Sequence, residues 1–80
     1  MYTLTLLYRP NCPYCQKVLR FMEQNNMKLP MKNISGNSEL RQELIGIGGK
    51  PQVPCLVIDG KPLYESNAII AWLRENWSRE

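Results

Sequence analysis

The chain changes its hydrophobic period at a pair of cysteines. Residues 2–8, YTLTLLY, are β-prone, with threonine set against leucine, and read as a strand. After the intervening RPN, Cys15, Val18, Leu19 and Met22 fall at i, i+3, i+4 and i+7, one apolar face of a helix. Pro13 suits the first turn of that helix, where a missing N–H is no loss. A strand-to-helix turn is therefore expected at Cys12-Pro13-Tyr14-Cys15, and the remaining chain must be laid onto a β-α start.

The rest follows in short segments. Asn25–Asn26 close the first helix, and KLPMKNIS, with Pro30 inside it, reads as a short edge strand. In SGNSELRQELIGIGG, Asn37 and Ser38 are cap candidates, Leu40, Leu44 and Ile47 form an apolar face, and Gly48–Gly49 end the helix. CLVIDGKPLY reads as a β-hairpin turning at Asp59-Gly60. ESNAIIAWLRENW begins with Ser66 as N-cap and carries Ile69, Trp72, Leu73 and Trp77 on adjoining faces, the tryptophans serving packing. The expected order is β-α-β-α-β-β-α. The first crossover should be right-handed with parallel strands. The hairpin then completes a mixed four-stranded α/β sheet with three helices packed on it. No linker, repeat or low-complexity tract interrupts residues 1–80, which read as a single domain.

Composition excludes several function classes. The apolar runs fall far short of the roughly 18 residues a membrane helix needs. The first ten residues carry no basic segment and no small-residue cleavage site, so the expected location is cytoplasmic, with no membrane partner. The net charge of +3 is scattered, with no basic block and no aromatic interleaving, so no nucleic-acid partner is expected. A mild positive bias near the cysteines suits a small anionic substrate. The chain has no histidine, which removes Cys-His hydrolases, histidine acid/base schemes and histidine-containing zinc sites. GIGGKP lacks the full phosphate-loop pattern and a following helix, and reads as a plain loop.

Three cysteines is an odd count, unlike a secreted disulfide framework. A structural zinc site needs four ligands, and Cys12, Cys15 and Cys55 supply at most three, so no metal is expected. A Cys12–Cys15 bridge closes too small a ring to add much stability. Redox chemistry remains. Cys12 falls at or just before a helix N-terminus, where N–H groups lack intrahelical partners and the helix dipole is positive. Arg9 and Lys17 add positive potential. Cysteine pKa values at such sites fall from about 8.5 to about 3.5–7.5, which makes Cys12 a nucleophile at neutral pH without a base. Cys15, one turn on and on the apolar face, is placed to resolve a mixed disulfide at Cys12. Cys55 reads as a small buried residue opening a strand.

With CPYC after a strand, then QVPCLVIDG, then YESNAIIAWL, nearly the whole chain resembles glutaredoxin. GGKPQVP and YESNAI are further similar to the N-terminal domain shared by two-domain glutaredoxins and glutathione transferases. The resemblance implies a thioredoxin fold. It makes Cys12 the nucleophile, Cys15 the resolving cysteine and Lys17 a thiolate stabiliser. It implies a glutathione groove with Tyr14 along it, Val53 pairing with the cysteinyl part, and Pro54 in the cis form. Glu65 and Ser66 would hold the γ-glutamyl end, with Asn67 assisting, and Arg9 or Lys50 would meet the glycyl carboxylate. Ser66 as a helix cap agrees, since free N–H groups there suit a carboxylate. Gln52 and Tyr64-Glu65-Ser66-Asn67 depart from the Thr-Val-Pro and Gly-Gly-x-Asp-Asp of many single-domain glutaredoxins. The implied activity is reduction of protein–glutathione mixed disulfides and protein disulfides by a monomer. Glutathione is the co-substrate, disulfide-containing proteins are the partners, and no cofactor is permanently bound. These residues hold no counterpart of the transferases' helical domain, so transferase chemistry is not expected. The alternatives are a glutathione-ligated [2Fe-2S] carrier, usually tied to Cys-Gly-Phe-Ser, and a flavoprotein-driven thioredoxin-like reductant, usually tied to Cys-Gly-Pro-Cys.

Overall fold

In a computed structural model, which describes residues 2–77, local signals set most element boundaries. Strand β1 spans Leu4–Tyr8 and helix α1 Pro13–Gln24, with Pro13 opening the helix and Asn25 closing it. Strand β2 is Met31–Asn33 and helix α2 Ser38–Gly48. Of the two cap candidates Asn37 is the cap: its Oδ1 accepts from the Leu40 N–H at 3.1 Å. At the other end Gly49 takes φ 81°, the left-handed cap that favours glycine. Strands β3 (Cys55–Ile58) and β4 (Lys61–Tyr64) form the expected hairpin. Asp59 and Gly60 both have positive φ, 50° and 84°, as a two-residue turn of this kind requires. Helix α3 spans Ser66–Asn76.

The sheet order is β2-β1-β3-β4, with β1 parallel to β2 and antiparallel to β3, and β3 antiparallel to β4. This is the expected mixed sheet in the expected order, a thioredoxin fold. Strand alternation divides the core. Leu6 and its partner Leu56 face α1 and α3, where Val18, Met22, Ile69 and Leu73 complete one buried cluster. Leu7 and its partner Cys55 face α2, where Leu44 and Ile34 complete the other. Each fully buried leucine contributes about 1.5–3 kcal/mol relative to exposure. Trp72 and Trp77 pack against the first cluster, as expected.

Strand β1 starts two residues later than the period suggests. Thr3 is held by the hairpin turn: its N–H donates to Asp59 Oδ1 at 2.8 Å, and its C=O accepts from the Asp59 N–H at 2.9 Å. Tyr2 leaves the sheet to meet Trp72 edge-on, with ring centroids 5.0 Å apart.

Two features position the functional end. Because β1 and β2 are parallel, their C-terminal loops leave the sheet at the same edge. The Ile34 N–H donates to the Tyr8 C=O at 2.9 Å and ties the two loops together. At the far side, Tyr64 at the end of β4 reaches over the end of α2. Its hydroxyl donates to the Lys50 C=O at 3.3 Å, and Lys50 Nζ lies 4.6 Å from its ring centroid. A Cβ at position 48 would overlap that ring and hydroxyl, so Gly48 is the residue that lets Tyr64 clasp the loop.

The clasp predicts a sign reversal. Ordinarily Gly→Ala in a helix gains at most about 1 kcal/mol. Here Gly48→Ala displaces Tyr64 and loses its hydrogen bond, so it should lower the melting temperature by several degrees, about 4–8 °C per kcal/mol. In a Tyr64→Ala background the same substitution should be neutral or stabilising. Thermal unfolding of the two single variants and the double variant checks this, and additive effects would refute it.

Candidate active site

Helix α1 begins with a residue that has no amide proton. Cys12 is its N-cap, in extended conformation (φ −90°, ψ 122°), and its C=O accepts from the Gln16 N–H at 2.9 Å. Pro13 follows at the first helical position and contributes no donor. The first amides open to the Cys12 sulfur are therefore those of Tyr14 and Cys15. No acidic residue stands in that first turn to oppose a negative charge.

Opposing effects act on Cys12, which is half-buried. Burial, the largest, pushes its pKa up. The Cys15 N–H, the Cys15 thiol, the Tyr14 N–H and the charge of Arg9 push it down, and together they prevail, leaving the thiol below its ordinary value. The sulfur makes no formal cap hydrogen bond as a thiol, so the amides act by favouring the anion. Cys15 goes the other way. It is fully buried on the apolar face of α1 with Val18 and Met22. Burial foremost, then hydrogen bonding to Cys12 and its negative charge, raise its pKa to about 11, against a bond from the Arg9 N–H and the Arg9 charge. That N–H meets Cys15 Sγ at 3.5 Å. The pair thus holds one thiol biased toward the anion and one held protonated.

A groove of about 320 Å³ lies beside this turn, lined by Tyr14, Gln52, Val53, Pro54, Glu65, Ser66 and Asn67. It brings together six of the expected ligand-binding residues: Tyr14, Val53, Pro54, Glu65, Ser66 and Asn67. The Val53–Pro54 peptide is cis, as expected. Arg9 does not line this groove. It shares a separate concavity of about 320 Å³ with Asn11, Cys12, Ser35 and Gly36. Lys17 Nζ donates to Asn67 Oδ1, so it spans from α1 to α3. Lys50 is held on the Tyr64 ring.

The cap of α3 differs from expectation. Glu65, not Ser66, is the N-cap, and Ser66 is the first helical residue, 5% exposed. Tyr64 still pairs with Cys55 in the sheet, so one residue must turn the chain from β4 into the helix. Glu65 does so at φ 74°, ψ 129°, a conformation costing about 1–3 kcal/mol for a residue with a side chain. Such strain concentrates at functional sites, and here it lies in the groove wall. The N-terminus of α3 stands at this groove, with no acidic residue in its first turn beyond the Glu65 cap, and its dipole suits a carboxylate.

Three residues beside Cys12 were not anticipated: Asn11, Ser35 and Gly36. The usable signal was the parallel β-α-β crossover, which brings the loop after β2 next to the loop after β1. Cys55 is fully buried on the α2 side of the sheet, and burial raises its pKa, with a Leu63 backbone bond acting against it. Among the described residues no group of three or more His, Cys, Asp or Glu could hold a metal, and no helix is long and apolar enough to cross a membrane.

These features define a thioredoxin-fold protein with an N-capping cysteine, a buried partner thiol and an adjacent groove. The glutaredoxin family model matches residues 1–63, and the chain belongs to the glutaredoxin family. The holo form of glutaredoxin C1 from Populus tremula x tremuloides is 19% identical with a TM-score of 0.70, covering 92% of this chain and 76% of its own. A buckwheat glutaredoxin–glutathione complex is 19% identical with a TM-score of 0.71, covering 92% and 70%. A delta-class glutathione transferase from Nilaparvata lugens is 26% identical with a TM-score of 0.76, covering 96% of this chain but 37% of its own. The chain thus spans little more than a third of that transferase. No curated protein matches it.

The two thiols should separate by pH. Only thiolate alkylates, so Cys12 should react with iodoacetamide with a midpoint below that of free glutathione, and Cys15 only as pH approaches about 11. At about pH 7 the reduced, folded protein should take one label, at Cys12, by intact mass and peptide mapping. Arg9→Ala should move the Cys12 midpoint upward. A Cys12 midpoint at or above that of glutathione would contradict the assignment.

Proposed function

We propose that the chain is a cytoplasmic, monomeric, glutathione-dependent thiol–disulfide oxidoreductase. The observation that carries this reading is the unequal pair, a stabilised thiolate at Cys12 backed by the buried Cys15 thiol, opening beside a peptide-sized groove. Glutathione bound to the buckwheat relative supports the choice of tripeptide.

In this reading the Gln52–Pro54 backbone pairs with the cysteinyl unit like an added edge strand. The α3 N-terminus and Ser66 take the γ-glutamyl carboxylate, the Glu65 carboxylate takes the γ-glutamyl amine, and Tyr14 covers the chain between. Arg9, which lines a concavity with Cys12, takes the glycyl carboxylate, while Lys50 is committed to Tyr64.

The Cys12 thiolate attacks the glutathionyl sulfur of a protein–glutathione disulfide. A new S–S bond forms, the old one breaks, and the protein thiolate leaves and takes a proton from solvent. A second glutathione thiolate then attacks the sulfur held on Cys12. Oxidised glutathione departs, and Cys12 returns as thiolate. No step in this cycle needs Cys15. With a protein disulfide, Cys12 forms a mixed disulfide with the protein. Cys15 must then lose its proton to attack Cys12, releasing the reduced protein and leaving a Cys12–Cys15 disulfide for two glutathiones to reduce. Rates depend on the thiolate fraction of the attacker and on how well the leaving sulfur is aligned, which groove binding supplies. Family potentials of about −200 to −230 mV let the glutathione pool keep such a pair reduced.

The test is glutathione-dependent reduction of a glutathionylated peptide, coupled to NADPH oxidation through glutathione reductase. Cys12→Ser should abolish turnover, while Cys15→Ser should keep most of it and lose reduction of protein disulfides. Wild-type turnover no faster than free glutathione would sink the reading.

A further inference from the structure

Three consecutive residues, Cys12, Pro13 and Tyr14, each line a different concavity. Cys12 lines the one with Arg9 and Ser35, and Tyr14 lines the proposed glutathione groove. Pro13 opens a third, of about 700 Å³, which runs between α1 and α3. Asn67 lines both this third groove and the glutathione groove, so the two adjoin.

The third groove has a single sign of charge. Lys17, Arg20 and Arg74 line it, and among the described residues no carboxylate does. Two of these cations are held in place by neutral partners. Lys17 Nζ donates to Asn67 Oδ1, and the Arg74 guanidinium lies 5.6 Å from the Phe21 ring centroid. Such contacts fix position without cancelling charge. Lys32 shows the contrast, since Glu43 neutralises it at 3.1 Å. Among the described residues the charge is therefore not spread evenly: three of nine cations and none of six carboxylates line this groove.

We propose that the α1–α3 groove receives an acidic segment of the protein substrate, next to the cysteine being reduced. The proposal rests on the oxidoreductase reading above. Glutathione occupies one side of the Cys12 turn, and the polypeptide whose sulfur leaves must depart on another. A groove that starts at Pro13 and is lined with uncompensated cations favours carboxylates there. Charge of this kind acts mainly on encounter and orientation, is weakened by salt, and selects among substrates without altering the sulfur chemistry.

Three glutathionylated peptides that differ only in acidic, neutral or basic flanks test this, with the glutathione–2-mercaptoethanol disulfide as a substrate without flanks. Wild type should prefer the acidic over the neutral peptide by about three- to tenfold in kcat/KM at low salt, and less at high salt. Arg20→Glu with Arg74→Glu should reverse the order of acidic and basic peptides and leave turnover of the flankless disulfide unchanged. Arg20→Glu alone, which leaves the Arg74–Phe21 contact intact, should give part of the reversal if the double variant folds poorly. Equal rates for the three peptides, or a preference that survives charge reversal, overturns the proposal while the oxidoreductase reading stands. No turnover of the flankless disulfide by wild type brings down both. A wild type that sediments as a dimer, with a monomeric charge-reversed variant, makes a second copy the occupant and overturns the proposal.

Discussion

The chemistry of this protein depends on amide groups that α1 cannot use for itself. An α-helix leaves its first N–H groups without intrahelical partners, and Pro13 removes one of them outright. Those of Tyr14 and Cys15 remain, next to the sulfur at the cap. Burial alone would push Cys12 up, so the sign of its shift rests on these donors together with the Cys15 thiol and Arg9. They hold position because α1 is pinned along its whole apolar face. Val18 and Met22 lock against Leu6 and Leu56 of the sheet and Ile69 and Leu73 of α3. A core that looks merely structural thus holds in place the donors that bias a half-buried thiol toward its anion.

The same burial divides the labour between the two cysteines. Cys15 sits on the pinned face and Cys12 at its rim, a single turn apart. Desolvation is decisive for Cys15 and outweighed for Cys12, so one helix start yields two thiols of opposite tendency. A thiol held near pKa 11 is a poor competitor for an incoming mixed disulfide. It becomes useful only when a disulfide persists at Cys12 long enough for proton loss. In the proposed cycle, differential burial would therefore order the two exchange steps in time without a dedicated base.

How much of this was legible depended on the range of the forces involved. The helix start at Pro13, the Asn37 cap, the Gly49 stop and the Asp59-Gly60 turn are decided by a residue and its near neighbours, and each was readable. The β-prone run at residues 2–8 was likewise readable as a strand, but the division of Leu6 and Leu7 between two cores emerged only in the structure. The α3 cap was misplaced by one residue, because strand pairing of Tyr64 with Cys55 overrode the ordinary preference for serine. The groove residues Tyr14, Val53, Pro54, Glu65 and Ser66 were named by family resemblance, and nothing local would have joined them. Asn11, Ser35 and Gly36 beside Cys12, and the Lys17–Asn67 link, arise from packing between elements distant in sequence.

Long-range packing also explains why Gly48 and Tyr64 have to be considered together. Gly48 reads locally as a helix stop, yet Gly49 already supplies the left-handed cap. The second glycine is needed because Tyr64 lies over it and bonds the Lys50 C=O. That bond fixes the start of the segment that ends at Val53–Pro54, one wall of the groove. Tyr64 is also the residue immediately before Glu65, whose strained turn forms the opposite wall. One side chain therefore couples both walls to the end of α2. A change in either glycine or tyrosine should register in the groove before it registers at Cys12, which is held by a different helix and a different core.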